Sequence, residues 1–220
     1  MVNLTSSERL SVSSLREQAH RMIRTAVVTG EIRPGRIYSA LQLAAQLGVS
    51  VTPVREAMLE LVREGLLEPV RNRGYRVVEL ADADIAEIYE IRELLEVPAL
   101  IRVAGRVPAA EEPRLRALVA TMQRAADDGD LPTFLEADRD FHLTLLALAG
   151  NRRLVEMVGL LRDQTRLYGA GQLAHGGGLR DSADQHAGLL DALLAGDGER
   201  ARDLMHEHLV YTHDVLTPDS

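Results

Sequence analysis

After Leu80 the chain carries no further strand signal, and this change of pattern constrains its fold more than any other feature. Up to that point the elements vary in kind. Leu15, Ala19, Met22, Ile23 and Ala26 follow helical spacing and mark a first helix from Leu15 to Val28. Gly30 closes it, and Pro34-Gly35 marks a turn. A short helix from Ser39 to Leu47 offers Leu41, Leu43, Ala44 and Leu47 for packing, and Gly48 supplies a helix-ending residue that tolerates positive φ. Ser50 is placed to cap a third helix through Val54, Ala57, Met58, Leu61 and Val62. Pro53 falls in its first turn, where a backbone N–H would have no intrahelical partner. Gly65 ends this helix. Leu66 to Glu68 and Tyr75 to Leu80 then read as two short strands around the basic turn Arg71-Asn72-Arg73-Gly74. Helix, helix, tight turn, helix, hairpin is the order of a winged helix-turn-helix, whose third helix can enter a major groove.

The remainder is helical. Asp82 is a good N-cap for a long helix carrying Ile85, Ile88, Tyr89, Leu94 and Leu95, with Pro98 as an expected kink. Further helical stretches are 111–127, 131–149, 151–170, 181–195 and 198–216. They are separated by Pro108, Asp128-Gly129-Asp130, Gly150-Asn151, the run Gly169 to Gly178 (with Gly176-Gly177-Gly178 as a flexible loop) and Gly196-Asp197-Gly198. Six helices with short loops predict an antiparallel bundle. The expected fold is mainly α, with a winged helix-turn-helix over 1–79 and an antiparallel six-helix bundle over 80–220.

Charge divides the chain at the same place. Residues 1–79 hold 11 arginines against 8 glutamates and no aspartate, whereas residues 80–220 hold 14 arginines against 25 acidic residues. A basic module joined to an acidic one suggests two different partners. The absence of cysteine excludes disulfides, thiolate zinc sites and cysteine nucleophiles; the absence of lysine excludes Schiff-base chemistry and a lysine phosphate loop. No run approaches the roughly 18 apolar residues of a membrane helix, and Met1 to Leu10 lacks an apolar signal core. A cytoplasmic protein with no membrane partner is expected.

Residues 10–79 carry Pro34-Gly35, Leu43-Ala44, Leu47-Gly48-Val49-Ser50, Thr52-Pro53-Val54-Arg55-Glu56-Ala57, Glu64-Gly65-Leu66-Leu67 and Arg73-Gly74. In that order and spacing they resemble the DNA-binding domain of GntR-family transcription regulators. The resemblance implies contacts to double-stranded operator DNA from Ser50, Thr52 and Arg55, and from Arg71, Arg73 and Gly74 in the wing. The chemistry suits those roles: arginine bonds guanine bidentately, and hydroxyls near a helix N-terminus bond phosphate. The alternative for Arg55 is a solvated arginine paired with Glu56 or Glu60. Two positions depart from the family pattern. Val51 stands where many members have arginine, and Ala40-Leu41 stands where a charged pair is common. Two donors to DNA are thus missing, which implies a different operator or weaker affinity per half-site.

In the helical part, Phe134, Leu135, Phe141, Leu145, Leu146 and Ala149 mark a core stripe that also contains Asp138 and His142, one turn apart. His186 lies on the stripe of Leu189, Leu190, Leu193 and Leu194. His208 lies with Ala201, Leu204, Met205, Leu209 and Val215, whereas His206 falls off it. One carboxylate and three imidazoles therefore point into a bundle that should be apolar. Burying an ionised Asp alone costs several kcal/mol. Either a divalent cation or a hydrogen-bonded polar cluster compensates, and bundles build metal sites from inward Asp, Glu and His.

Asp138-x-x-Phe141-His142, Gly150-Asn151, Gln185-His186 with Leu190-x-Ala192, Gly196-Asp197, Ala201 and His208-Leu209 resemble the FadR-type effector domain, FCD, over residues 82–217. Six helices rather than seven match its shorter, VanR-like branch. The resemblance implies a divalent metal on Asp138, His142, His186 and His208, with zinc first and nickel, manganese or iron as alternatives. It also implies a small carboxylate effector beside the metal. One carboxylate against a 2+ ion leaves about one positive charge, suiting a monoanion. Arg92, in Ile91-Arg92-Glu93-Leu94-Leu95-Glu96, resembles the family's Arg-x-x-Leu-Glu segment. It is placed either to grip that carboxylate or to pair with Glu96.

The function expected is a ligand-responsive, homodimeric transcription regulator and not an enzyme. A metal sensor is the alternative. A metal-dependent enzyme with an appended DNA-binding domain is the third, though no HExxH motif, adjacent base or cofactor loop supports it.

Overall fold

The computed structural model describes residues 14–173 and 178–217, which divide into two compact units at Val78–Glu79. The first unit contains α1 (Leu15–Val28), β1 (Ile37–Tyr38), α2 (Ala40–Leu47), α3 (Val51–Arg63), β2 (Leu67–Val70) and β3 (Gly74–Val77). α1 opens on a reciprocal cap, in which Ser14 accepts from the Glu17 N–H and Glu17 accepts from the Ser14 N–H. Its buried stripe is Ala19, Ile23, Val27 and Val28, which packs on α3. Leu15 and Met22, two of the apolar residues whose spacing marks this helix, are exposed, because a second contact face would need another layer beside α1. Leu41 is exposed for the same reason, while Leu43 and Ala44 face inward.

The hairpin has a third strand that the sequence did not announce. The sheet order is β1-β3-β2, with Ile37 opposite Arg76 and Tyr38 opposite Tyr75. Two residues are too few for an alternation signal, so β1 was unreadable. Gly74 is what admits it. Its φ is +126°, and a Cβ there would collide with the Tyr38 carbonyl. The strands also shift: β2 runs to Val70 rather than ending at Glu68, and β3 stops at Val77 rather than Leu80.

Among the described residues, the second unit is six helices: α4 (Asp82–Val103), α5 (Glu112–Asp128), α6 (Leu131–Leu148), α7 (Arg152–Leu173), α8 (Gly178–Ala195) and α9 (Gly198–Leu216). Ala81, not Asp82, is the N-cap of α4. The contact comes from Asp84, whose Oδ2 accepts from the Ala81 N–H at 2.8 Å. Pro98 stays inside the helix without ending it. Asp130 and Asp197 cap α6 and α9 by accepting the N–H groups of Thr133 and Arg200. α7 extends to Leu173 and α8 starts at Gly178, so Gly178 is helical; Gly176, Gly177 and His175 lie outside the described residues. The packing α4·α9, α5·α6, α5·α8, α8·α9 and α6·α7 closes a core around Phe134, Phe141, Leu145, Leu189 and Met205.

Candidate functional site

The stripe logic of three helices delivers four polar side chains to one point. α6 buries Phe134, Asp138, Phe141, His142 and Leu145; α8 buries Leu179, Ser182, His186 and Leu189; α9 buries Ala201, Met205 and His208. A donor atom from each of Asp138, His142, His186 and His208 lies within 4.8 Å of the other three. Ligands sharing one ion at bonds of about 2.1 Å stand roughly 3–4 Å apart, so the cluster needs only a small contraction. Phe141 fixes two of the rings, its own ring centroid 5.4 Å from that of His142 and 5.2 Å from that of His186, edge to face.

Proton accounting shows what the cluster lacks. His186 Nδ1 is 2.6 Å from the Ser182 carbonyl, which can only accept, so Nδ1 carries the proton. Burial pushes this ring down to about 3, so it is neutral at pH 7 and Nε2 presents a lone pair. That lone pair faces His142 Nε2 at 2.9 Å and Asp138 Oδ1 at 2.9 Å. His208 donates Nδ1–H to Gln185 Oε1 at 2.9 Å, which also leaves Nε2 as an acceptor.

Burial, then the Arg162 charge, holds His142 well below the ordinary histidine value; burial, then His186, does so for His208. His142 Nδ1 is buried, has no hydrogen-bond partner and sits 3.8 Å from Glu96 Oε2. With its proton on Nε2, His142 satisfies His186 but turns a lone pair on Glu96. With its proton on Nδ1, it faces Glu96 favourably but sets two lone pairs against each other at 2.9 Å. A cation at the convergence point lets every imidazole coordinate through Nε2, with His186 and His208 anchored through Nδ1–H and His142 turning its Nδ1–H toward Glu96. The donor set, three neutral imidazoles and a carboxylate, suits zinc, nickel, manganese or iron.

A layer of buried charge lies against this cluster. Glu96 is fully buried and bridges two arginines. Its Oε1 accepts from Arg92 Nε at 2.8 Å; its Oε2 accepts from Arg162 Nε and Nη2 at 3.1 and 2.9 Å. Arg162 Nη1 also donates to Asp138 Oδ2 at 3.2 Å, and Arg166 pairs with the same oxygen. Burial alone would raise the Glu96 carboxyl, but Arg162 and then Arg92 hold it below the usual carboxylate range. Burial lowers Arg162 to about 10, which leaves it protonated at neutral pH.

Arg92 is thus engaged by Glu96 and lies over the Tyr89 ring, 4.7 Å from its centroid. Glu96 entered the sequence reading only as a salt-bridge partner. Arg162 and Arg166 were missed, although Leu154, Val158, Arg162 and Arg166 repeat every four residues along one face of α7. The other histidines among the described residues make contacts elsewhere. His206 pairs with Glu93 at 2.7 Å, His20 with Glu64 at 2.8 Å, and His213 meets the edge of Tyr89.

In the first unit, Ser50 occupies the N-cap position of α3, but its hydroxyl makes no capping bond. Ser50, Thr52 and Arg55 are exposed along the first turns of α3, and Arg71 and Arg73 are exposed in the hairpin turn. Arg55 forms no ion pair with Glu56 or Glu60, and neither wing arginine is paired among the described residues. Gly74 has a sufficient structural reason in the close approach of β1.

Residues 87–211 match the FCD domain, and residues 15–77 match the family described as bacterial regulatory proteins, gntR family. The chain is 34% identical over 209 residues to a probable D-xylose utilization operon transcriptional repressor of Paenarthrobacter nicotinovorans, covering 92% of this chain and 89% of that protein. It is 29% identical over 196 residues to the HTH-type transcriptional regulator McbR of Escherichia coli, covering 88% and 89%. The solved structure of E. coli McbR/YncC superposes with a TM-score of 0.84 at 28% identity, covering 94% of this chain and 99% of that one. No helix among the described residues is long and apolar enough to cross a membrane.

Proposed function

The chain is a transcriptional regulator of the gntR family whose helical unit is an FCD domain, and on that premise we propose that it reads operator DNA as a homodimer and answers to a carboxylate effector held beside a divalent cation. Residues 1–79 are the DNA-reading part and residues 80–220 the effector-binding part; operator DNA sets its workplace in the cytoplasm. The observation that carries the metal reading is the convergence of three Nε2 lone pairs and one carboxylate oxygen with no proton arrangement that satisfies them. Asp138, His142, His186 and His208 hold the ion, which supplies an electrophilic anchor for an anion.

The charge around it alters the expectation for the effector. Arg92, Arg162 and Arg166 together with a 2+ ion outweigh the carboxylates of Glu96 and Asp138 by about three charges. That excess favours an acid with more than one carboxylate over a monoanion. Arginine suits the role because its planar fork matches a carboxylate. Arg92 reaches an effector only by sharing or leaving Glu96.

For DNA, the unpaired Arg55 on α3 faces solvent where a base edge can be read, Ser50 and Thr52 offer hydroxyls to phosphate, and Arg71 and Arg73 extend from the wing. Fluorescence anisotropy on DNA upstream of the protein's own gene tests this. The wild type should bind with an affinity that falls steeply with salt. Arg55→Ala should lose about 1–3 kcal/mol, roughly ten- to hundredfold, at the preferred sequence. Equal affinities of wild type and variant on every fragment overturn the assignment of α3. Repeating the titration with metal-depleted protein and no added acid separates an effector-binding regulator from a metal sensor, in which the ion alone would switch affinity.

A further inference from the structure

Leu41 is 67% exposed, the most exposed large apolar side chain of the first unit among the described residues. Single exposed leucines are ordinary, so its position carries more weight than its exposure. Ala40, Leu43 and Ala44 are buried, which turns Leu41 away from the core. Immediately before α2, the backbone at Tyr38 and Ser39 lies against the wing: a Cβ on Gly74 would collide with the Tyr38 carbonyl and stand 3.1 Å from the Ser39 Cα. The start of α2 is therefore beside the hairpin turn that carries Arg71 and Arg73. Its other end passes through Gly48 and Val49 directly into Ser50 and the first turn of α3. α2 thus spans the gap between the two groups of residues that face DNA, the wing and the start of α3.

Leu41 is also held in place. Ser39 Oγ accepts from the Gln42 N–H at 3.1 Å, and Gln42 Oε1 accepts from the Ser39 hydroxyl at 3.0 Å, so a reciprocal cap closes around it. Val51 is the first residue of α3 and is partly exposed, between the exposed Ser50 and Thr52. Neither Leu41 nor Val51 has a side-chain hydrogen-bond donor or acceptor. In a major groove, the base feature that an aliphatic side chain recognises is the 5-methyl group of thymine.

We propose that Leu41 and Val51 read thymine 5-methyl groups, and that the preferred operator carries these thymines in addition to the base that Arg55 reads by hydrogen bonds. The proposal rests on the DNA reading above and adds what the two aliphatic residues select.

Selection of the full-length protein on a randomised duplex library gives the preferred sequence. Each thymine of that duplex is then replaced singly by deoxyuridine, which lacks only the methyl group. The wild type should lose affinity about fourfold at the thymines facing Leu41 and Val51, the worth of one buried methyl. Leu41→Ala should bind the thymine and uracil duplexes equally at one of these positions and keep the loss at the other; Val51→Ala should do the reverse. In a fresh selection, Leu41→Arg should replace its thymine by guanine, which arginine bonds bidentately. A wild type indifferent to every thymine-to-uracil replacement refutes methyl reading, and so does a loss that survives unchanged in both alanine variants. A loss abolished by one variant alone overturns the assignment of the other residue. A wild type that enriches no sequence and matches Arg55→Ala on every duplex refutes the DNA reading itself.

Discussion

Glu96→Ala is the sharpest test of the buried charge layer. In the wild type, three charge-assisted hydrogen bonds of 2.8, 2.9 and 3.1 Å end on this carboxylate, which is completely buried. The alanine variant strands two guanidiniums, each 3% exposed, without a shared counter-charge. Arg162 keeps Asp138, but Arg92 keeps only the face of Tyr89. Removing one partner of a buried pair costs about 3–5 kcal/mol, because the other charge stays out of water. For a chain of this size each kcal/mol shifts Tm by about 2–4 °C, so a loss of roughly 6–20 °C is expected. Glu96→Gln, which keeps one acceptor oxygen, should fall between. Glu87→Ala, on the exposed face of the same helix, should stay within about 0.5 kcal/mol. Urea denaturation followed by circular dichroism, on protein stripped of metal with chelator, reads the difference. The carboxyl is held below its usual value in the folded state, so its contribution is present above about pH 4.3 and is lost progressively below it, as pH falls toward the lower folded-state value. A Glu96→Ala loss under about 1 kcal/mol refutes the picture of a buried carboxylate bridging two arginines.

Two further outcomes follow from the imidazoles. Because burial lowers His142, His186 and His208 in the folded state, the unfolded chain binds more protons below about pH 6.5. Metal-free protein should therefore lose stability as pH drops below that value, by up to about 1.4 kcal/mol per pH unit for each ring, in urea titrations from pH 7.5 to 5; a flat profile contradicts buried neutral imidazoles. Zinc or nickel at a hundredfold excess over its dissociation constant should stabilise the wild type by about 2.7 kcal/mol, and His186→Ala with His208→Ala should abolish both that gain and about one metal per chain by elemental analysis. An ion that neither binds nor stabilises the wild type leaves the four residues as a polar cluster.

The sequence revealed the cluster and hid its surroundings for one physical reason. Asp138, His142, His186 and His208 interrupt strongly apolar stripes, and a polar residue on an apolar stripe is visible against its neighbours. Arg162 and Arg166 sit on α7, whose stripe is diluted by Glu156, Asp163 and Gln164, so their inward position does not stand out. The same dilution hid Glu96 as more than a local partner of Arg92, because its second arginine is 66 residues away. In the first unit the helices were legible from caps and glycines. The helical spacing that includes Leu15 and Met22 does not say how many layers α1 packs against, and both are exposed. β1 is formed by its partner: Gly74 leaves room for it, and a glycine in a hairpin turn reads equally well as a turn residue.

α4 is where the separate sites become one problem. Three residues after the boundary at Val78 the chain enters this helix, so residues 79–81 are the covalent route between the reading unit and the bundle. One face of α4 carries Arg92 and Glu96 into the charge layer that touches Asp138 through Arg162. The opposite face carries the exposed stripe of Ile91, Leu94 and Ile101. An anion that draws Arg162 away from Glu96 removes the hydrogen bonds that tie α4 to α7, whereas one that draws Arg92 away breaks only a pair within α4. A ligand changes an equilibrium only through differential affinity for two arrangements. Within this bundle, the Glu96 bridge is a contact that such a ligand must either keep or break.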